Sequence, residues 1–125
     1  MDIERIKSRL QSLGYEIVEG DDVALEFVSG KTEQTIKHFC NIDEVPECLD
    51  YVYIEMCCGE FLQAKKSFGQ LTSLQVEQLI KSLEDGDTTV SFQSGTDSET
   101  RFYNHLDKMI NGHKDALIRH RKLVW

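Results

Sequence analysis

The amino-acid sequence predicts a mainly α-helical fold, a small bundle of four to five helices with one β-hairpin or extended loop. Apolar residues recur at intervals of three and four positions through most of the chain, which is the repeat of one helix face. The chain has 125 residues and a single proline, with no serine- or glycine-rich linker and no internal repeat. A chain of this length accommodates one domain, so residues 1–125 are expected to fold as a single unit.

The first two helices are predicted over residues 2–13 and about 23–40. The first is followed by Gly14, a common helix stop, and the acidic pair at 21–22 is a natural N-cap for the second. Gly30 in the middle of the second helix opposes helix formation by about 1 kcal/mol relative to alanine. The apolar face of the first helix consists of Ile3, Ile6, Leu10 and Leu13. That of the second consists of Leu25, Val28, Thr32, Ile36 and Phe39.

The third helix is predicted over about residues 46–66 and opens at Pro46, a residue favoured at the first helical position. It has few polar positions before its last turn, so we expect it at the centre of the core. Gly59 and Ala64 are small and allow another helix to approach closely. Residues 67–75 are expected to form a loop.

Residues 76–93 show competing signals for helix and strand. Glu84-Asp85-Gly86-Asp87 is a turn signal, and residues 88–92 alternate in polarity with a period of two. We predict a hairpin that pairs about 77–83 with 87–93, in preference to a helix followed by a lone strand. The helical alternative rests on the spacing of Val76, Leu79, Ile80 and Leu83.

Two further helices are predicted after this region. Ser98 or Thr100 caps the first of them, which ends at Asn111-Gly112. Its buried face is expected to consist of Phe102, Leu106, Met109 and Ile110. A short helix over about 114–121 then leads into the last residues of the sequence.

Charge is distributed unevenly along the chain, whose formal net charge is -8. Residues 16–60 contain twelve acidic residues against Lys31 and Lys37, whereas residues 113–125 carry a net charge of +3. The remaining 112 residues therefore carry -11. This balance argues against the phosphate backbone of nucleic acid as the main target, because such binding needs a basic surface.

Residues 119–125, here called the basic segment, combine three positive charges with an apolar pair and the single tryptophan. Such apolar groups are costly to leave in water, so we expect the segment to dock on a protein surface. The acidic region 16–60 offers such a surface on every copy, which suggests head-to-tail self-association that closes as a ring if the rotation permits. The expected partner-binding residues are Arg119, Arg121, Lys122, Leu123, Val124 and Trp125.

No catalytic, cofactor-binding or metal-binding site is predicted. The soft ligands are His38, Cys40, Cys48, Cys57 and Cys58. Their spacing fits no zinc ribbon or finger, so we expect cysteines that fill the core. Glu55 and Glu60 are candidates for acid–base chemistry, but the preferred interpretation is an exposed helix edge, or ion pairs with a base such as Arg5 or Arg101. Without an export signal or an apolar run of membrane-spanning length, the protein is expected to be soluble and cytoplasmic, with reduced cysteines.

Several segments follow one another in a characteristic order and spacing: residues 2–15, 40–42, 45–47, 59–62, 86–92 and 119–125. In this order and spacing they resemble the head-tail connector (head-completion or adaptor) proteins of tailed phages and of phage-like prophage elements in Gram-positive bacteria. The resemblance covers essentially the whole chain.

This resemblance implies a non-enzymatic subunit that forms a ring with copies of itself beneath the portal protein and continues the DNA channel towards the tail. A downstream neck or tail-completion protein would be a further partner, DNA would be passing cargo, and no membrane is involved. The protein would be found in the host cytoplasm during assembly and then in the particle neck. The hairpin that would face the channel or a neighbour comprises Asp85, Gly86, Asp87, Thr88, Val90 and Phe92.

A second function remains open, that of a small acidic regulatory protein or nucleic-acid mimic that sequesters a basic partner. Such a mimic has no need of a basic segment with an aromatic residue. An assembly that grows towards a ring as the protein concentration rises would favour the adaptor over the mimic.

Overall fold

The computed structural model describes residues 3–85 and 98–121, and the described residues are mainly helical, as predicted. They form six α-helices and one turn of 3₁₀-helix over Glu47–Leu49. The α-helices are α1 (Ile3–Ser12), α2 (Asp21–Cys40), α3 (Asp50–Ser67), α4 (Ser73–Asp85), α5 (Ser98–Asn111) and α6 (Lys114–Arg119).

Helix α3 lies at the centre of the bundle, as predicted, because it packs against α1, α2 and α5. Helix α4 packs on α5, and α6 packs on α2. The buried side chains of all these helices belong to one continuous hydrophobic core. The buried residues of α3 are Val52, Tyr53, Met56, Cys57, Cys58, Gly59, Phe61 and Leu62.

The prediction that Gly59 permits a close helix approach is confirmed at the contact between α3 and α5. A Cβ atom at this position would lie 2.8 Å from Cγ1 of Ile110 and 2.9 Å from Cβ of Met109. These distances are shorter than carbon–carbon contacts at their optimum. The absence of a side chain at residue 59 therefore sets how near the two helices come.

Helix α2 begins two residues earlier than predicted. Gly20 is its N-cap, with a φ of 94° that favours glycine, and Asp21 lies inside the first turn. The acidic pair at 21–22 is therefore not a capping pair. The Asp21 side chain is buried and is used in other contacts. It accepts hydrogen bonds from the Tyr15 hydroxyl at 2.8 Å and from the backbone N–H of Val18 at 3.0 Å.

The predicted first strand of the hairpin, residues 77–83, is wrong, because these residues lie within α4. Their apolar spacing matches a helix face that packs on α5, and Val76, Leu79 and Ile80 are buried there. A capping box also starts this helix: the Thr72 hydroxyl accepts from the N–H of Gln75 at 3.1 Å. In return, the Gln75 side chain accepts from the N–H of Thr72 at 2.8 Å. The second strand, 87–93, falls outside the described residues.

Helices α4 and α5 are also joined by an ion cluster around Glu84. Its carboxylate pairs with the guanidinium of Arg101 and lies 3.1 Å from Nε2 of His105. Hydrogen bonds from Arg101 outweigh the opposing effect of burial and lower the pKa of Glu84 below its ordinary value. This cluster fixes the end of α4 against the first half of α5.

Among the described residues, no helix combines the length and the apolar character that crossing a bilayer requires.

Candidate partner-binding surfaces

The start of the basic segment is held on the body of the protein by α6. This helix has six residues, too few for stability in isolation, so its packing against α2 maintains it. Leu117 is buried in the core, and its carbonyl oxygen accepts a hydrogen bond from the Cys40 thiol at a sulfur–oxygen distance of 3.3 Å. The chain therefore leaves α6 from a defined place at the C-terminal end of α2.

Two contacts orient the residues that follow α6. Nδ1 of His120 lies 2.9 Å from the carbonyl oxygen of Ala116, which only accepts, so the neutral ring carries its proton on Nδ1. Nε2 of His120 then accepts from the Cys48 thiol, 3.0 Å away. The guanidinium carbon of Arg121 lies 5.3 Å from the ring centroid of Phe39, within cation–π range.

The predicted partner-binding residues divide into two groups. Arg119 and Arg121 are exposed, at the end of α6 and over Phe39 respectively. The other four lie outside the described residues: Lys122, Leu123, Val124 and Trp125. Docking of the segment on a partner stays a prediction.

A groove with apolar walls lies between the first half of α2 and the last half of α3. We call it the apolar groove; its volume is about 1040 Å³. The exposed fractions of its main apolar side chains are large: 74% for Val23, 73% for Phe27 and 78% for Phe68. Exposed apolar surface of this kind, rimmed by polar residues, marks binding sites on soluble proteins.

The groove was not predicted from the sequence, although α2 carries one signal for it. At 100° per residue, Val23 and Phe27 lie on the side of α2 opposite its buried face. An apolar pair four positions apart on the outer face of a helix indicates a second contact surface. The contribution of Phe68 follows only from the tertiary structure.

The rim of the groove contains two ion pairs. Nζ of Lys65 lies 2.8 Å from the carboxylate of Asp21, and Nζ of Lys31 lies 3.2 Å from that of Glu60. Burial alone would raise the pKa of Asp21, but its hydrogen bonds from Lys65, Val18 and Tyr15 outweigh burial and lower the pKa. The carboxylate of Asp21 is therefore held charged at one wall of the groove.

Residues 16–26, some of which line one end of the groove, carry an excess of negative charge. Residues 16–26 contain five carboxylates and no lysine or arginine. Two of the five are compensated from other helices, Asp21 by Lys65 and Asp22 by Lys7 at 2.5 Å. The other three are exposed: Glu16, Glu19 and Glu26.

The two candidate acid–base carboxylates, Glu55 and Glu60, form ion pairs. Their partners differ from the two bases named in the prediction. Glu55 pairs with Arg9 at 2.5 Å, and Glu60 pairs with Lys31. The two bases named beforehand pair elsewhere: Arg5 with Asp50 and Arg101 with Glu84.

Three of the four cysteines are buried, as predicted for residues that fill the core, and Cys48 is exposed. Burial raises the pKa of Cys57 to about 11 and also raises the pKa of Cys58 and of Cys40. Within residues 3–85 and 98–121, no three histidine, cysteine or acidic side chains come together in a way that could hold a metal ion.

The predicted channel-facing hairpin is placed only at its first residue. Asp85 is the last residue of α4, so it ends a helix and does not belong to a strand-pairing turn. The others fall outside the described residues: Gly86, Asp87, Thr88, Val90 and Phe92.

Comparison with known proteins adds no relative: no family model, curated protein sequence or solved structure matches this chain.

Proposed function

We propose that the protein is a non-enzymatic structural adaptor of a phage or phage-like particle. Copies would assemble as a ring between the portal and the tail or neck components and continue the DNA channel. The resemblance of the sequence to head-tail connector proteins motivates this proposal, and the helical bundle is compatible with it.

The observation that carries the proposal is the placement of two different contact surfaces at opposite ends of α2. The described part of the basic segment, residues 119–121, lies beside Phe39, near the C-terminal end of this helix. The apolar groove and its excess of carboxylates lie at the N-terminal half. A helix of 20 residues is about 30 Å long, so a single subunit can contact two neighbours at once.

The negative charge of the body suits a conduit for DNA. The chain carries -8 overall, and carboxylates that face a channel repel the phosphates of a passing duplex. A surface of this kind lets DNA slide without sticking, whereas a basic lining would retain it.

Immunogold electron microscopy of particles released by the host tests the proposal. Antibodies raised against the purified chain should label the junction between head and tail, once per particle. Labelling confined to the host cytoplasm, with none on particles, would contradict it and would favour an acidic regulatory protein.

A pull-down with purified portal rings provides the second arm of the test. The full chain should be retained, and a variant that lacks residues 122–125 should be retained less, if the basic segment makes the contact. Failure of the full chain to bind isolated portal rings, together with its absence from particles, would rule out the adaptor.

A further inference from the structure

We propose that the apolar groove of one copy binds the basic segment of a second copy, with Leu123, Val124 and Trp125 against the walls of the groove. The inference rests on the proposed function, because it supplies the contact through which copies of an adaptor would join. In that contact one copy supplies the basic segment and the next copy supplies the apolar groove.

The walls of the groove expose large apolar side chains to water. Phe27 and Phe68 are each about three-quarters exposed, and they face the same groove from α2 and from the end of α3. A partner that covers these rings removes their apolar surface from water, which is favourable. A covering group of aromatic size is therefore expected.

The composition of the basic segment is complementary to that of the groove. Its apolar residues match the walls, and its positive charges match the exposed carboxylates of residues 16–26, of which Glu19 lines the groove. The segment also contains tryptophan and arginine, two of the residues most enriched among the anchors of protein interfaces. Residues 86–97 are a poorer match, since they begin Gly86-Asp87 and contain no lysine or arginine.

The reach of the chain favours a second copy as the source of the segment. Phe39, over which Arg121 lies, is twelve residues along α2 from Phe27, which is about 18 Å. A fully extended backbone reaches at most about 7 Å beyond Arg121 at Leu123 and about 14 Å at Trp125. The backbone of the apolar triplet therefore stops short of Phe27 of its own subunit, which favours the groove of a second copy.

A contact of this type is heterologous, because a segment at one end of a subunit binds a groove at the other end of the next. Such contacts propagate head to tail and close as a ring when the rotation between copies permits. Each added copy presents a free groove and a free segment, which lets the assembly grow one subunit at a time.

Trp125 is the only tryptophan of the chain, and this allows a direct test by fluorescence. The donor is the Phe27→Glu variant, which keeps its tryptophan but has a blocked groove. The acceptor is the Trp125→Ser variant, which keeps its groove but has no tryptophan. The Phe27→Glu change leaves the core intact, because Phe27 is exposed.

Titration of the donor with the acceptor should move the tryptophan emission to shorter wavelength in a saturable manner. Light scattering should show a one-to-one complex that grows no further, since each variant has only one working surface. An acceptor that also carries Phe27→Glu should bind about tenfold more weakly or worse. The matched control is an acceptor with Leu74→Glu, an equally exposed apolar residue on α4, and it should bind like the unaltered acceptor.

Three results would overturn the inference. The first is that the tryptophan emission does not shift with any acceptor. The second is that the shift persists when the acceptor carries Phe27→Glu. The third is that the acceptor alone forms dimers through its groove. If residues 86–97 cover the groove of their own chain, the shift would appear only after Phe92→Ser in the acceptor, which also overturns it.

The inference and the proposed function fail separately. Gold label at the particle neck without a tryptophan shift would remove only the groove contact. A tryptophan shift without label on any particle would leave a self-associating protein and remove the adaptor.

Discussion

Replacement of Gly59 by alanine tests the closest contact of the core, and Gly30→Ala is its matched control. Both glycines lie inside long helices, so alanine gains about 1 kcal/mol of helix propensity at each position. A Cβ atom at Gly30 meets nothing within 4 Å. Gly30→Ala should therefore raise the free energy of unfolding by about 1 kcal/mol.

At Gly59 the same gain is opposed by overpacking. The new Cβ would lie 2.8 Å from Ile110 and 2.9 Å from Met109, and 3.3 Å from the backbone oxygen of Leu106. Insertion of a methyl group into a packed core costs about 1–3 kcal/mol, because α3 and α5 must move apart. Because helix propensity cancels between the two variants, Gly59→Ala should be less stable than Gly30→Ala by about 1–3 kcal/mol.

Equilibrium unfolding in urea, followed by circular dichroism at 222 nm, measures this difference. For a chain of this length the corresponding difference in Tm is about 4–12 °C. The m-values should be equal, since neither change alters the surface exposed on unfolding. If the two alanines stabilised the protein equally, the close approach of α3 and α5 would be refuted.

Three further predictions concern the chemistry of individual residues. Cys48 should react with Ellman's reagent within minutes in the native protein. The other three thiols should react only after unfolding, because those thiols are buried and their pKa values are raised. Two or more thiols that react within minutes would contradict the packing of α3. Thr72→Ala should lower the free energy of unfolding by about 1 kcal/mol, because it removes the N-cap of α4, and an unchanged urea midpoint would argue against the capping box. The pKa of Glu84 is lower in the folded state than its ordinary value of 4.5, so the stability from its pair with Arg101 is present above about pH 4.5 and is lost as the pH falls through the folded pKa. Unfolding free energies of the unaltered protein and of Glu84→Gln should therefore converge as the pH falls below about 4.5, and a difference that stays constant would contradict the ion pair.

Local sequence signals predicted the helices whose apolar spacing and stop signals agree. Helices α1 and α5 lie within a few residues of their expected bounds, since glycine or asparagine follows a periodic apolar face. Helix α3 was expected to open at Pro46 but begins at Asp50, because a turn of 3₁₀-helix over Glu47–Leu49 precedes it. The error at 77–83 arose because the turn signal after Leu83 was given more weight than the helical spacing before it. The sequence Thr72-x-x-Gln75 is a capping box and would have favoured the helix.

The partner-binding surfaces were predicted only in part, and the reason is physical. Charge and composition identify the basic segment and the acidic region without reference to the fold. The apolar groove requires α2 and the end of α3 to lie side by side, which no local pattern specifies. The same holds for the partner of Glu55, because Arg9 lies 46 residues earlier in the chain.

The central claim is that copies of this protein join through the basic segment, and sedimentation velocity tests it most directly. The full chain and a variant that lacks residues 122–125 would be compared over a hundredfold range of concentration. The average mass of the full chain should rise above the 14.4 kDa of one copy as the concentration increases, whereas the shortened chain should remain at the mass of one copy. Equal masses for the two proteins at every concentration would contradict the account.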